Sequence, residues 1–127
     1  MGYDVGRKNF MSVDQIAAIR PAILEAIEGS PATCATLELE GDADKWVQFT
    51  EYTINAAYPH SNNPEECVKS LPSIAGLKLV NWETRTFATF EIPPSDAELV
   101  ARWIDEYFLK ILDCSADYDI DVTIEQL

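Results

Sequence analysis

The sequence predicts an α+β fold of the two-layer sandwich type, a mostly antiparallel sheet carrying its two main helices on one face. Three observations predict it. Segments in which apolar and polar residues alternate recur along the chain, joined by short polar turns, the pattern of hairpin-linked strands. Two longer segments instead place apolar residues three and four apart, the pattern of helices with one buried stripe. A length of 127 residues at 47% hydrophobic composition supports one core, which helices and strands must then share. The expected organisation is a single acidic domain over 1–127, in the order α-β-β-short α-β-β-α-β.

Residues 1–11 mix glycine, charge and asparagine without a period and are expected to form a loose N-terminal arm. Ser12 with Gln15 makes a capping-box pattern, and Ile16, Ile19, Ile23 and Ile27 then fall on one helical stripe ending at Gly29. Pro21 sits inside this helix, where it removes a hydrogen bond, so a kink or break is expected there. Leu37 and Leu39 alternate with Thr36, Glu38 and Glu40 in a first strand over 35–40. The Gly41–Asp44 turn leads into 46–57, whose apolar parity shifts between Phe49 and Ile54 and predicts a bulge or bend in a second strand.

Asn63-Pro64-Glu65-Glu66 has the chemistry of a helix start, a capping Asn, a first-turn Pro and acids at the positive end of the dipole, predicting a short helix that ends near Ser70. Strands over 77–82 and 86–92 flank a polar turn, with Ala88, Phe90 and Ile92 on one face. Ser95 with Glu98 reads as a second capping box. The helix that follows carries Leu99, Val100, Trp103, Ile104, Tyr107, Phe108, Ile111 and Leu112 as a wide apolar stripe. In the last strand Tyr118, Ile120, Val122 and Ile124 alternate with Asp117, Asp119, Asp121, Thr123 and Glu125, apolar on one face and acidic on the other.

Charge narrows function more than any motif does. With 22 acidic against 9 basic residues the net charge is -13, which repels phosphate backbones and anionic lipid, so direct nucleic-acid binding and membrane association are not expected. No apolar stretch reaches the length of a membrane span and no basic-then-apolar leader opens the chain, which points to a cytoplasmic protein. Cys34, Cys67 and Cys114 are odd in number and widely spaced, so reduced thiols are expected; no close ligand pair suggests zinc, and His60 is the sole histidine. Asp117-Tyr118-Asp119-Ile120-Asp121 begins like a calcium loop but has Val122 where the turn glycine is required, so no metal or cofactor is expected. No phosphate-binding, dinucleotide-binding, zinc-protease or nucleophile-elbow motif occurs.

Two candidate sites remain. If helices cover only one sheet face, Asp117, Asp119, Asp121, Glu125, Glu38, Glu40 and Glu91 share the other, and such a surface attracts a basic protein and speeds encounter. Acids on exposed strands also serve plain solubility and edge protection. The segregation of charge favours binding, because lysine and arginine are absent from 21 to 44 and again after Lys110, whereas a surface tuned for solubility mixes the signs. The expected function is thus a non-catalytic protein that docks a basic protein partner, as an inhibitor, immunity protein or secretion-type chaperone does. The alternative is a small-ligand site or minor enzyme in the 58–67 connection, using Tyr58, His60 and Cys67, with Cys67 in the first turn of a helix. A third possibility makes Trp46 or Trp82 an assembly contact.

Overall fold

A computed structural model describes residues 12–29 and 32–126; the arm expected over 1–11 lies outside the described residues. The elements are α1 (Ser12–Glu28), β1 (Thr33–Leu39), β2 (Trp46–Thr50), β3 (Thr53–Ala57), α2 (Pro64–Val68), β4 (Lys78–Glu83), β5 (Phe87–Glu91), α3 (Ala97–Lys110) and β6 (Ile120–Gln126). The strands form one six-stranded sheet in the order β4-β5-β3-β2-β1-β6, and every pairing is antiparallel. The fold is α+β, with α1 and α3 on one face.

Strand parity explains that layering. Ala35 and Leu37 of β1, Val47 and Phe49 of β2, Ile54 and Ala56 of β3, and Ala88 and Phe90 of β5 are fully buried and register with one another across the sheet. Over them lie Ile19, Ala22, Ile23 and Ala26 of α1 and Val100, Trp103, Ile104, Tyr107 and Phe108 of α3. Small residues let α1 lie over β1, β2 and β6, whereas α3 reaches the sheet through rings. Phe90 sits 5.6 Å from Trp103 and 6.4 Å from Tyr107, and the Tyr107 hydroxyl donates to the Ala57 carbonyl at 2.8 Å. Burying each such side chain contributes about 1.5–3 kcal/mol.

Several local expectations are corrected. The parity shift in 46–57 marks a complete reversal: Glu51 and Tyr52 both take positive φ (49° and 59°) and make a two-residue hairpin between β2 and β3, the left-handed pair whose twist suits adjacent strands. Of the kink or break expected at Pro21 the break is ruled out, since α1 continues through Pro21 as one helix. Ala17 and Pro21 lie on its exposed side, where water can serve the carbonyl that proline leaves without a donor. The cap of α3 is Asp96, whose carboxylate accepts from Leu99 N at 2.9 Å; Ser95 turns back to Pro93 O instead. Leu99 is 41% exposed and stands outside the buried stripe, its place taken by Ala97, Ala101 and Asp105. The cap of α2 is Asn63, as the sequence suggests, accepting from Glu65 N at 2.8 Å.

Candidate functional site

The second face of the sheet has no described helix over it, and its composition follows from register. The middle row is uncharged: Asn81, Thr89, Asn55, Gln48, Thr36 and Thr123 lie side by side across all six strands. Thr89 donates to Asn55 at 2.8 Å and Gln48 to Thr36 at 3.3 Å, so the row is internally bonded. Beside it Trp46, Ala57 and Phe87 form an apolar corner; Trp46 and Phe87 are half-buried. Trp82 faces the other way, with its ring edge-on to Tyr58 at 6.1 Å.

The acids gather at one margin. β1 and β6 pair over seven residues, placing Glu38 opposite Asp121 and Glu125 opposite Cys34, and Glu40 N donates to Asp119 O at 2.9 Å just beyond the ladder. These two strands come from the two stretches that lack lysine and arginine, so separation of charge along the chain becomes separation in space. Asp42 and Asp44 in the β1–β2 turn and Asp113 after α3 extend the acidic end; Lys45 lines the same hollow as Glu40, Asp113 and Asp119, and Arg85 shares another hollow with Asp44. Arg20 and Arg102 lie on the helix layer and share Glu98 at 3.4 and 2.9 Å.

Two of the seven acids stand apart. Glu91 on β5 is three strands from β1, roughly 14 Å at ordinary strand spacing, and faces Lys78 across the β4–β5 ladder. Asp117 is in a turn, because β6 begins only at Ile120. The reason is Tyr118: its N–H closes a turn on Ser115 O, its carbonyl accepts from Gln15 Nε2 at 2.9 Å, and its hydroxyl donates to Asp105 at 2.6 Å. Tyr118 is buried, and its phenol is pushed up first by burial and then by Asp105. Gln15 therefore serves the core and not the N-terminal box.

The 58–67 connection does bring its named residues together. Tyr58 is 1% exposed; its hydroxyl donates to Asn62 O at 2.6 Å and lies 3.1 Å from Cys67 Sγ, which also accepts from Asn62 Nδ2 at 3.2 Å. Burial, and then Cys67, push the phenol up. The His60 ring packs 5.4 Å from Tyr58, but its Nε2 lies 2.8 Å from the Ile111 carbonyl. A carbonyl only accepts, so Nε2 carries the proton and that nitrogen is committed to the backbone. A thiol facing a phenol and an amide, with the imidazole turned toward another element, ties the connection to the sheet and to the end of α3. The hollow beside Tyr58, about 430 Å³, is lined by Asp44, Trp46, Ala57, Pro59, Arg85 and Thr86, not by His60 or Cys67.

Sequence reasoning missed the buried Gln15–Tyr118–Asp105 network, since Asp105 occupies an ordinary helical position and only its 2% exposure sets it apart. It also missed a cavity of about 490 Å³ between the end of α1 and the β2–β3 hairpin, lined by Ala26, Ile27, Phe49, Glu51 and Tyr52 among others, because the hairpin itself was not anticipated. Among the described residues no group of three His, Cys, Asp or Glu side chains could hold a metal ion, and no helix is long and apolar enough to cross a membrane. Comparison with known proteins finds no matching family model, no matching curated protein and no matching solved structure.

Proposed function

We propose that this chain is a non-catalytic binding protein whose β1–β6 margin docks a basic protein partner, in the manner of an inhibitor, an immunity protein or a secretion-type chaperone. The observation that carries the reading is the β1–β6 register, which sets Glu38 against Asp121 and Glu125 beside Cys34 on a face over which no described helix lies. Like charges opposed across strands cost stability, so a surface selected only to stay soluble has no reason to place them there. The neutral amide and hydroxyl row and half-buried Trp46 next to that margin resemble an interface core bordered by a charged rim. A negative field of this kind speeds encounter with a cation-rich surface by about 10- to 1,000-fold.

The test is capture of basic proteins by the chain and by the double charge reversal Glu38→Lys/Asp121→Lys, each at low salt and at ~1 M salt, where the Debye length shrinks to about 3 Å. A partner held by the natural chain is expected to be lost both to the reversal and to salt. A partner that survives both treatments would mean the acidic margin is not the interface.

A further inference from the structure

The two edges of the sheet are built differently. β4 begins with Lys78 and breaks register between Leu79 and Asn81, leaving Val80 49% exposed, and α2 packs beside it. A bulge and a lysine are standard ways to stop an edge from pairing. β6 has neither: it is seven residues long, keeps regular register with β1 from end to end, and contains no proline, glycine, lysine or arginine. Among the described residues no further strand lies beyond it.

The pairing also fixes which backbone groups of β6 point away from β1, where no described strand lies. Residues of an antiparallel strand point both N–H and C=O toward one neighbour, then toward the other, in alternation. Glu40 N donates to Asp119 O, and Leu39 N turns away from β6 to Lys45 O. Counting along the register from there, Asp121, Thr123 and Glu125 bond to β1, while Ile120, Val122 and Ile124 direct N–H and C=O outward. Their side chains lie on the helix side of the sheet, in register with Leu39, Leu37 and Ala35; Val122 is 42% exposed. The acids Asp121 and Glu125 stand on the opposite side.

We propose that the outer edge of β6 accepts an extended segment of a basic partner as a seventh strand, a segment in which Lys or Arg alternates with aliphatic residues. This rests on the docking reading above and adds its geometry. The outward backbone groups of Ile120, Val122 and Ile124, which pair with no described strand, supply the main-chain bonds. The aliphatic side chains of the added strand meet Val122 and its neighbours, and its cations meet Asp121 and Glu125. A second copy of this chain is the wrong occupant, because β6 against β6 opposes acid to acid.

The experiment follows backbone amides of the full chain by NMR and hydrogen exchange while three peptides are added at low salt: an alternating Lys-Val heptamer, the same peptide N-methylated at alternate residues, and its Glu-Val counterpart. Binding of the first alone is expected, with slowed exchange at Ile120, Val122 and Ile124. Val122→Pro, which removes an outward N–H and leaves the β1 ladder intact, is expected to weaken that binding roughly tenfold, the loss of one hydrogen bond with its partner carbonyl left unmatched. Unchanged thermal stability of Val122→Pro checks that it folds, and the N-methylated peptide makes the same test without touching the protein. If the Lys-Val peptide binds but neither N-methylation nor Val122→Pro weakens it, strand addition is overturned while acidic docking stands. If it does not bind at millimolar concentration, strand addition is overturned too, and capture of folded basic proteins, with Glu38→Lys/Asp121→Lys as its control, decides the docking reading separately.

Discussion

Replacing Tyr118 with Phe removes one oxygen and keeps the ring, so it isolates the polar tie that sets where β6 begins. The lost hydroxyl donates to Asp105 at 2.6 Å, and Asp105 is 2% exposed. Losing a buried hydrogen bond of this kind costs ~1–3 kcal/mol, while the stacking of Tyr118 on Phe108, with centroids 5.1 Å apart and planes 24° apart, survives the change. The expected loss is about 2 kcal/mol, a drop in Tm of roughly 6–10 °C for a domain of this size. Urea denaturation followed by tryptophan fluorescence measures it, and the cycle with Asp105→Asn is expected to give a coupling of about 1–2 kcal/mol. A loss below about 0.5 kcal/mol, the range of unremarkable surface changes, would show that the hydroxyl is not holding the carboxylate and that the reasoning about the start of β6 is wrong.

Tyr58, Tyr107 and Tyr118 all have phenols pushed up chiefly by burial. Their folded values exceed the unfolded one, so the stabilisation is complete below about pH 10 and falls as the unfolded chain alone gives up protons above it, by up to about 4 kcal/mol per pH unit for the three together. Urea midpoints are expected to be independent of these groups up to about pH 9 and to fall steeply beyond pH 10; a flat profile through pH ~11 would contradict their burial. At Gly29 an added Cβ would sit 2.7 Å from both the Glu25 carbonyl oxygen and Thr33 Oγ1. Gly29→Ala is therefore expected to cost about 1–3 kcal/mol, and an unchanged Tm would mean that the α1–β1 connection has room the structure does not show.

The fold class was legible because strand parity and helical spacing are local signals. Ala88, Phe90 and Ile92 announce one buried face, and Trp103, Ile104, Tyr107 and Phe108 announce another. What failed locally failed where a side chain serves a distant partner. Gln15 looks like a capping-box residue until Tyr118, remote in sequence, claims its amide; Asp117 looks like part of a strand until Tyr118 turns the chain. The β2–β3 reversal was hidden because Glu51 and Tyr52 are not turn-forming residues, and Tyr52 is held instead by its edge-on contact with Phe49 at 5.8 Å. For the candidate site, composition along the chain showed that acids were segregated but not which strands would meet. Only the β1–β6 pairing separates Glu38, Asp121 and Glu125 from Glu91.

That pairing also bears on whether the acids serve solubility or the proposed partner. Acids on β6 alone can be explained as protection of an edge strand. Glu38 cannot, because β1 is the second strand in and has neighbours on both sides. Glu38 is the ladder partner of Asp121, and like charges at directly opposite positions cost on the order of 0.2–1 kcal/mol. Asp121→Lys replaces that repulsion with attraction and is expected to raise stability by a similar amount, measured as a small upward shift in urea midpoint, while abolishing capture of the proposed basic partner. Gain of stability with loss of binding is the signature of residues retained for function against the interest of the fold. If Asp121→Lys instead destabilises the chain, the acids are part of its structural support and the argument from charge to partner loses its physical basis.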